Sequence, residues 1–274
     1  MNRTVRAFFL GRRRYDLVHA WQGALLAARA AGTAPDTVLL CEHEPVVTLG
    51  RGAKPENVLL GRDALTARGI DLVETGRGGD VTFHGPGQLV GYPIIDLKPD
   101  RCDLRKYVRS LAEMMILLAR DEGVEAGTVD GMIGVWADAQ KPDEWATAPW
   151  ARELVKLGAI GVRVSRWITM HGFALNLDID LSSFDVIVPC GIRDHAVASI
   201  ASLAGRSRSV REVALTSARH LSTALELEVD TVVDLSEVSD PSEALSLPPA
   251  SGALGSVEKA LGLPRRPQSE VHGV

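Results

Sequence analysis

Residues 76–97 read GRGGDVTFHGPGQLVGYPIIDL, a glycine-dense loop followed by an apolar run. Five of the twelve residues from Gly76 to Gly87 are glycine. A glycine lets the backbone approach a neighbouring group that a Cβ would clash with, or adopt φ values that a Cβ forbids. The run Leu89–Leu97 predicts a strand after the loop. A ligand-binding loop is therefore favoured over a set of tight turns at a sheet edge. Four polar side chains stand beside this bare backbone, namely Arg77, Thr82, His84 and Gln88.

Hydrophobic periodicity predicts a mixed β-sheet flanked by helices, an α/β fold of the α+β type. Apolar residues at three- to four-residue spacing indicate long helices at 15–31 and 104–118. Ser209 with Glu212 three residues later is a capping box that opens a helix to about Leu225. Strands alternate irregularly with helices, which favours a mixed sheet over a regular βαβ array. The predicted strands are 4–10, 38–41, 46–49 (paired with 38–41, as in a hairpin), 70–74, 89–97, 133–137, 154–164 and 167–177, and a short helix is predicted at 62–68.

The composition divides the chain into a domain and a tail. We expect residues 1–235 to form a single domain, in which residues 139–152 are predicted to be a surface loop between two strands. Residues 236–274 are rich in Ser, Pro and Gly and have no sustained periodicity. We therefore expect a mobile C-terminal tail from residue 236 onwards.

Charge and cysteine usage exclude several classes of protein. With 30 basic and 35 acidic residues the net charge is −5, which argues against binding of nucleic acid by phosphate neutralisation. No apolar run approaches the ~20 residues of a membrane helix, and the N-terminus builds no secretory h-region. The three cysteines form no C-x-x-C pair, which fits a reduced, cytoplasmic protein. Cys41 is interpreted as core filler and Cys102 as an exposed residue.

Cys190 is the candidate nucleophile. It follows the β-rich run 186–188 and is flanked by two turn formers, a placement that can present a thiol at the mouth of a sheet. A thiol needs a neighbour that favours the thiolate. Lys156, inside an apolar strand, either points to solvent or is held in a site, and counting favours solvent because lysine is rarely buried. His171 could instead form a Cys–His pair. Spacing alone leaves these alternatives open.

Phosphate-binding and metal-binding patterns are missing from the sequence. There is no G-x-x-x-x-G-K-[ST], no G-x-G-x-x-G between a strand and a helix, and no H-E-x-x-H. His43 lies between Glu42 and Glu44, but no partner ligand stands at helical spacing from it. We therefore predict no metal and no cofactor.

Five ordered stretches resemble the signature of the bacterial lipoyl(octanoyl) transferases, the LipB family. They are residues 42–51, 77–93, 156–163, 171–176 and 184–192, and the resemblance covers roughly residues 5–225. The family fold is the mixed α/β catalytic domain shared with biotin and lipoate protein ligases. Members transfer an octanoyl group from acyl carrier protein to a lysine ε-amine of a lipoyl domain, the first step of protein lipoylation from endogenous octanoate.

The resemblance also implies roles for individual residues. The motif cysteine that forms the acyl-thioester falls on Cys190, and the motif lysine that lowers the thiol pKa and shuttles protons falls on Lys156. The residues that the resemblance places on substrate are Arg77, Gly78, Gly79, Asp80, Val81, Thr82, Phe83, His84, Ala159, Ile160, Gly161, Gly172, Phe173 and Ala174.

The implied partners are octanoyl-acyl carrier protein, lipoyl domains of 2-oxoacid dehydrogenase E2 subunits, and the glycine cleavage H protein; a monomer is expected. The basic run Arg12–Arg14 either docks an acidic carrier protein or is a solvated turn. The sequence departs from the family pattern at Gly131–Val135, where a basic residue and a proline are expected, in the longer 139–152 loop, and at Gly158.

Three other functions compete with the transferase. An ATP-dependent lipoate–protein ligase needs no nucleophilic cysteine, a Cys–His thioesterase or amidase would pass the acyl group from Cys190 to water, and an acyl-carrier binder would leave Cys190 and Lys156 inert. Acyl-enzyme formation without ATP, and discharge by a lipoyl domain instead of water, discriminates among them.

Overall fold

A mixed eight-stranded β-sheet forms the centre of the fold. The computed structural model describes residues 3–145, 151–189 and 195–247. The strands are β1 (Arg6–Arg13), β2 (Thr37–His43), β3 (Val46–Leu49), β4 (Asp71–Glu74), β5 (Val81–His84), β6 (Gln88–Ile94), β7 (Gly127–Val129), β8 (Met132–Asp138), β9 (Leu154–Ser165), β10 (Ile168–Asn176) and β11 (Val232–Asp234). The large sheet has the order β11-β1-β2-β6-β10-β9-β8-β7. Its β1 pairs in parallel with both neighbours, and the other pairs are antiparallel.

Helices cover both faces of this sheet, which confirms the predicted architecture. They are α1 (Tyr15–Ala30), α2 (Arg62–Ala67), α3 (Leu104–Asp121), α4 (Ile200–Ala204), α5 (Val210–Thr216) and α6 (Ala218–Leu225), with 3-10 turns at Pro55–Asn57 and Leu181–Val186. Side chains alternate across β1. Ala7 and Phe9 enter the core that α3, α5 and α6 close, whereas Phe8 and Leu10 enter the core beneath α1.

A second sheet of three strands, in the order β4-β3-β5, lies beside the first. The predicted pairing of 38–41 with 46–49 is wrong, because β2 and β3 belong to different sheets. Both edges of β2 are occupied, by β1 and by β6, so the chain leaves the large sheet after His43. β3 then pairs with β4 and β5. The glycine-rich loop thereby contributes a strand, β5, that periodicity did not indicate.

The capping box at Ser209 is confirmed, but the helix after it is interrupted. The Ser209 hydroxyl accepts a hydrogen bond from the Glu212 N–H, and the Glu212 carboxylate accepts one from the Ser209 N–H. The hydroxyl of Ser217 donates to the carbonyl of Ala214 at 2.7 Å. This bond competes with the helical backbone pattern, and the chain divides into α5 and α6 at Ser217.

The first part of the predicted tail packs on the domain. Residues 236–247 come after β11 in the chain and pack against β1. Leu245 in this segment is fully buried in the core beneath α1. The Arg6 guanidinium donates to the carbonyl of Leu245 at 3.3 Å. Arg13 donates to the carbonyl of Val238 at 2.6 Å, and Arg14 pairs with Asp16 at 3.1 Å. The basic run is thus engaged in contacts within the chain.

The remainder of the predicted tail, residues 248–274, lies outside the described residues, as does part of the predicted 139–152 loop, residues 146–150. In the described part of the chain, no helix combines the length and the apolar character that crossing a membrane requires.

Candidate functional site

A cavity that is open to solvent lies between the two sheets, beside the glycine-rich loop. A smaller pocket adjoins it, and the two have Thr82 and Ala159 in common. Lys156 and Pro189 line the smaller pocket. Of the predicted substrate residues, those that line the larger cavity are Arg77, Gly79, Asp80, Thr82, His84, Ala159, Ile160, Gly161, Gly172, Phe173 and Ala174.

Side chains alternate between the two faces of β5, so two of the predicted substrate residues, Val81 and Phe83, point away from the cavity. Val81 and Phe83 point into a third core, where the Phe83 ring meets the Phe184 ring edge-on at 5.6 Å. Thr82 and His84 point the opposite way, into the cavity. A period of two along a strand predicts this division once β5 is recognised as a strand.

Arg77 holds the glycine-rich loop to β3. Its side chain is buried, and Nη2 donates to the Thr48 carbonyl at 2.7 Å while Nε donates to the Thr48 hydroxyl at 3.2 Å. The N–H of Gly78 donates to the carbonyl of Val162 on β9 at 2.9 Å. At Gly79 the backbone has φ of +85°, a conformation that favours glycine. The loop is therefore fixed at both sheets.

Asp80 fixes the segment that follows β3. Its carboxylate accepts a hydrogen bond from the N–H of Lys54 at 3.1 Å and another from the side-chain amide of Asn57. The carbonyl of Asn57 in turn accepts from the N–H of Val188 at 2.8 Å. Asp80 thus links the glycine-rich loop to the residues that directly precede Pro189.

Two buried histidines near the cavity are neutral. The Nδ1–H of His43 donates to the carbonyl of Arg13 at 3.0 Å, so Nε2 accepts from the hydroxyl of Tyr92 at 2.7 Å. Burial lowers the pKa of His43 to about 4. Burial likewise lowers the pKa of His84 to about 3, because desolvation disfavours the charged imidazolium.

A chain of hydrogen bonds runs from His84 to β9. His84 Nδ1 lies 2.6 Å from the Gln88 amide oxygen, and the Gln88 amide nitrogen donates to the Asn176 oxygen at 2.9 Å. The Asn176 amide nitrogen donates to the carbonyl of Ala198 at 2.9 Å. The N–H of Ala198 then donates to the carbonyl of Lys156, also at 2.9 Å. This chain joins the glycine-rich segment to the predicted catalytic lysine through side chains and backbone.

Lys156 is held inside the fold, so the solvated interpretation of this residue is wrong. It is 6% exposed, and its Nζ lies 5.5 Å from the centre of the Trp136 ring. An added Cβ at Gly134, where φ is +132°, would lie 2.9 Å from the Lys156 Cε. Because Gly134 has no side chain, it leaves room for the Lys156 side chain to cross β8.

Cys190 and residues 191–194 lie outside the described residues. The chain on either side is fixed next to Lys156. Pro189 lines the smaller pocket with Lys156, and the carbonyl of Ala196 accepts from the Lys156 N–H at 2.9 Å. Of the other cysteines, Cys41 is fully buried and Cys102 is exposed, as interpreted from the sequence.

His171 lies at the opposite end of the larger cavity. It is 1% exposed, lines the cavity, and stacks on His19 of α1 with ring centres 5.5 Å apart. The pKa of His171 is well below the usual value for histidine. Burial is the main cause, and the nearby His19 is the second. Val162, its register partner on β9, lies six residues beyond Lys156, or about 20 Å at the rise of an antiparallel strand. A Cys–His pair through His171 is therefore disfavoured relative to a partner at Lys156.

Sequence reasoning missed part of the cavity wall. Tyr15, Val90 and Tyr92 line the cavity together with His171. Tyr15 and His19 lie four residues apart on α1, and this spacing could have placed them on one helix face. Within the described ranges, no three His, Cys, Asp or Glu side chains converge as a set of metal ligands.

The fold is that of lipoate–protein ligases. A solved structure described as a bipartite lipoate protein ligase and its E2 lipoyl domain from Thermoplasma acidophilum superposes with a TM-score of 0.64 at 16% identity, covering 97% of this chain and 100% of that chain. At this identity the likeness concerns the fold alone.

The chain belongs to the lipoyl protein ligase A/B catalytic domain family, whose model matches residues 14–222. Two curated relatives are named octanoyltransferase. The protein from Solibacter usitatus is 44% identical over 220 residues, covering 80% of this chain and 92% of that protein. The protein from Myxococcus xanthus is 44% identical over 210 residues, covering 77% of this chain and 56% of that protein. The resemblance to the bacterial LipB family is thereby confirmed.

Proposed function

We propose that this protein is an octanoyltransferase that moves an octanoyl group from octanoyl-acyl carrier protein to a lysine ε-amine of a lipoyl domain. The proposed intermediate is an octanoyl thioester on Cys190, with Lys156 as the proton carrier. The observation that carries the proposal is the shared pocket of Lys156 and Pro189, since Pro189 directly precedes Cys190. The octanoyltransferase relatives support the same reaction.

The first half-reaction exchanges one thioester for another. The Cys190 thiolate attacks the donor carbonyl, the new C–S bond forms, and the donor thiolate leaves with a proton from the Lys156 ammonium. Thioester exchange is close to thermoneutral, so the step requires no ATP. A lysine ammonium near the thiol favours the thiolate by opposite charge.

The second half-reaction forms an amide. The incoming lysine amine attacks the acyl carbonyl and loses a proton to neutral Lys156, and Cys190 leaves as the thiolate. A lysine in a desolvated site can give and take protons in this way. The 6% exposure of Lys156 and the aromatic face beside its Nζ provide such a site.

The larger cavity suits the acyl chain. Its apolar lining includes Val90 and Ala174, which belong to the core beneath α1, and each methylene of the chain that leaves water contributes about 0.8 kcal/mol. Gly161 and Gly172, which are register partners on β9 and β10, also line this space. Apart from Gly78, Val81 and Phe83, the predicted substrate residues surround this space.

The decisive experiment is intact-protein mass spectrometry after brief incubation with octanoyl-acyl carrier protein in the absence of ATP. We expect one octanoyl adduct, mapped to Cys190, which a lipoyl domain discharges much faster than water does. A folded sample that forms no adduct, and transfers octanoate only when ATP is supplied, would establish a ligase and refute the Cys190 mechanism. Rapid discharge by water would instead identify a thioesterase.

Two variants separate the proposed roles. Cys190→Ala removes the nucleophile, so we expect carrier-protein binding without adduct formation. Lys156→Arg keeps the positive charge but cannot readily release a proton, so we expect it to form some adduct and to lose transfer to the lipoyl domain. Equal loss of both half-reactions would contradict a separate proton-carrier role for Lys156. Cys102→Ala, at an exposed cysteine remote from the cavity, is the matched control and should behave as wild type.

A further inference from the structure

The end of the larger cavity at His171 contains buried polar atoms that have no hydrogen-bond partner among the described residues. Neither ring nitrogen of His171 has one, and nor does the side-chain nitrogen of Gln22. The Gln22 amide oxygen accepts from the His171 backbone N–H at 3.0 Å. Gln22 is fully buried, and His171 is 1% exposed and lines the cavity. Buried polar atoms are nearly always hydrogen-bonded in native proteins, so unpaired atoms at a cavity wall point to a ligand.

The backbone of His171 is held in a conformation that presents its ring to this end of the cavity. Its φ is +60°, a left-handed conformation that non-glycine residues rarely adopt and that is often found at functional sites. Phe173 and Leu175, two and four residues further along β10, face the core beneath α3. The imidazole of His171 instead stacks on His19 of α1, with ring centres 5.5 Å apart.

Strand alternation places Arg163 on the face of β9 that lines the cavity. Ala159 and Gly161 line the cavity, whereas Ile160 and Val162 pack against the core beneath α3. Arg163 lies two positions beyond Gly161, and alternate residues of a strand share a face. The strand therefore directs the Arg163 side chain to the side of the sheet on which the cavity lies.

The Arg163 guanidinium lies beside the polar end of the cavity. It packs against the glycine-rich loop, where a Cβ added at Gly76 would be 3.0 Å from its Nη1. Burial lowers the pKa of His19 and of His171, and the nearby charge of Arg163 lowers both further. Among the described residues no carboxylate forms an ion pair with Arg163, and Asp80, which also lines the cavity, is engaged by the segment after β3. A cation beside unpaired buried donors favours a negatively charged ligand that accepts hydrogen bonds.

Distances along β9 fit a medium-chain acid at this end of the cavity. Val162 is the register partner of His171, and Ala159, three residues earlier, lies about 10 Å away at the rise of an antiparallel strand. An extended chain of eight carbons also spans about 10 Å, at little more than 1 Å per bond. Ala174, the register partner of Ala159, belongs to the apolar core beneath α1 and lines the cavity. An acid with its carboxylate at His171 would therefore place its methyl end against apolar surface.

We propose that His171, Gln22 and Arg163 form an oxyanion subsite that binds the carboxylate of a free medium-chain fatty acid. The imidazole N–H and the Gln22 side-chain nitrogen donate hydrogen bonds to the carboxylate, and Arg163 supplies the opposite charge. The acid lies in the reverse direction to the acyl group of the proposed reaction, whose carbonyl is near Lys156. The subsite takes no part in the bonds made and broken at Cys190.

The first test measures octanoate binding by isothermal titration calorimetry. Arg163→Gln removes a charge-assisted hydrogen bond, so the Kd should rise about tenfold relative to wild type. Arg166→Gln is the matched control, because it removes the same charge from an exposed position three residues further on, and its Kd should stay within about twofold of wild type. Lys156→Gln should also stay within about twofold. A tenfold loss in Lys156→Gln would place the carboxylate at the opposite end and overturn the proposal.

Two analogues of octanoate separate the head group from the chain. Octan-1-ol keeps the chain without the charge, and acetate keeps the carboxylate without the chain. Both should bind at least about tenfold more weakly than octanoate. The proposal fails if either analogue binds as tightly as octanoate, if wild-type and Arg163→Gln proteins have equal affinities, or if the wild type does not bind octanoate.

If Arg163→Gln does not fold, imidazole ¹⁵N spectra of the wild-type protein provide an independent measurement. Octanoate should shift the signal of His171, which is assigned by its loss in His171→Asn, and octan-1-ol should not shift it. Identical spectra with the two compounds would overturn the proposal. These measurements require no acyl transfer, so their outcome is separate from that of the proposed function.

Discussion

The buried histidines make the stability of this protein depend on pH in a defined direction. His43 is neutral in the folded state because burial lowers its pKa from 6.5 to about 4. The unfolded chain therefore binds a proton at His43 that the folded chain does not bind. Linkage then requires the free energy of unfolding to fall as the pH falls from about 7 towards 4. Below the folded-state pKa both states are protonated and the loss is complete.

The magnitude follows from the two pKa values. A shift of 2.5 units from 6.5 to about 4 corresponds to about 3.4 kcal/mol at 1.36 kcal/mol per unit. Between pH 7 and pH 5 alone, His43 should remove about 1.8 kcal/mol from the free energy of unfolding. His84, with its pKa lowered to about 3, should contribute a similar loss over this interval, and His171 acts in the same direction.

The assay is urea unfolding at pH 7, 6 and 5 for the wild type, His43→Gln and Tyr92→Phe. His43→Gln removes the titrating group, so its loss of stability between pH 7 and pH 5 should be about 1.8 kcal/mol smaller than that of the wild type. Tyr92→Phe is the matched control, because it removes the hydroxyl bonded to His43 Nε2 at 2.7 Å but leaves the imidazole. It should cost about 1 kcal/mol at every pH and keep the wild-type pH dependence.

Carboxylates with lowered pKa values, such as Asp138 and Glu212, are present in all three proteins. Their contributions cancel in the comparison and are lost at lower pH than the histidine effect. If His43→Gln loses as much stability as the wild type between pH 7 and pH 5, His43 does not remain neutral in the folded protein.

Three further substitutions test individual contacts. Gly172→Ala should destabilise by about 1–3 kcal/mol, measured by urea unfolding, because its Cβ would lie 2.1 Å from the Gly91 carbonyl oxygen. Trp136→Leu removes the aromatic face 5.5 Å from the Lys156 Nζ, an interaction of about 0.5–2 kcal/mol, so single-turnover acylation should slow about 2- to 30-fold. Asp138→Ala removes the acceptor for three loop N–H groups and should speed amide hydrogen exchange at Arg152 without altering the core.

Periodicity predicted most elements of this fold, because burial imposes a regular pattern on the helices and on the long strands. The helix predicted at 15–31 is α1, and the strands predicted at 154–164 and 167–177 are β9 and β10. Pairing between strands was less predictable. The 38–41 and 46–49 strands read as neighbours, yet β2 already has partners on both edges, which local sequence does not reveal.

The position of Lys156 illustrates a second limit of local reasoning. Lysines are rarely buried, so residue statistics favour a solvent-exposed Lys156, whereas the family motif favours a position in the catalytic site. The structure holds the side chain between Gly134 and Trp136. In the sequence, Gly131–Val135 shows only a departure from the family pattern. Its Gly134 provides the space for this lysine, a relation that depends on the register of β8 with β9 and not on sequence spacing.

The motifs that were recognised separately are one structural unit. The bonds from His84 through Gln88 and Asn176 to Ala198 cross from the glycine-rich segment to β10 and then to the backbone beside Lys156. Asp80 makes a second connection, through Asn57, to the residues that lead to Pro189. The glycine-rich segment is therefore hydrogen-bonded, through these intermediates, to both flanks of the segment that carries Cys190. Substitutions along these connections should be non-additive with substitutions at Lys156, because residues in one hydrogen-bond network share partners.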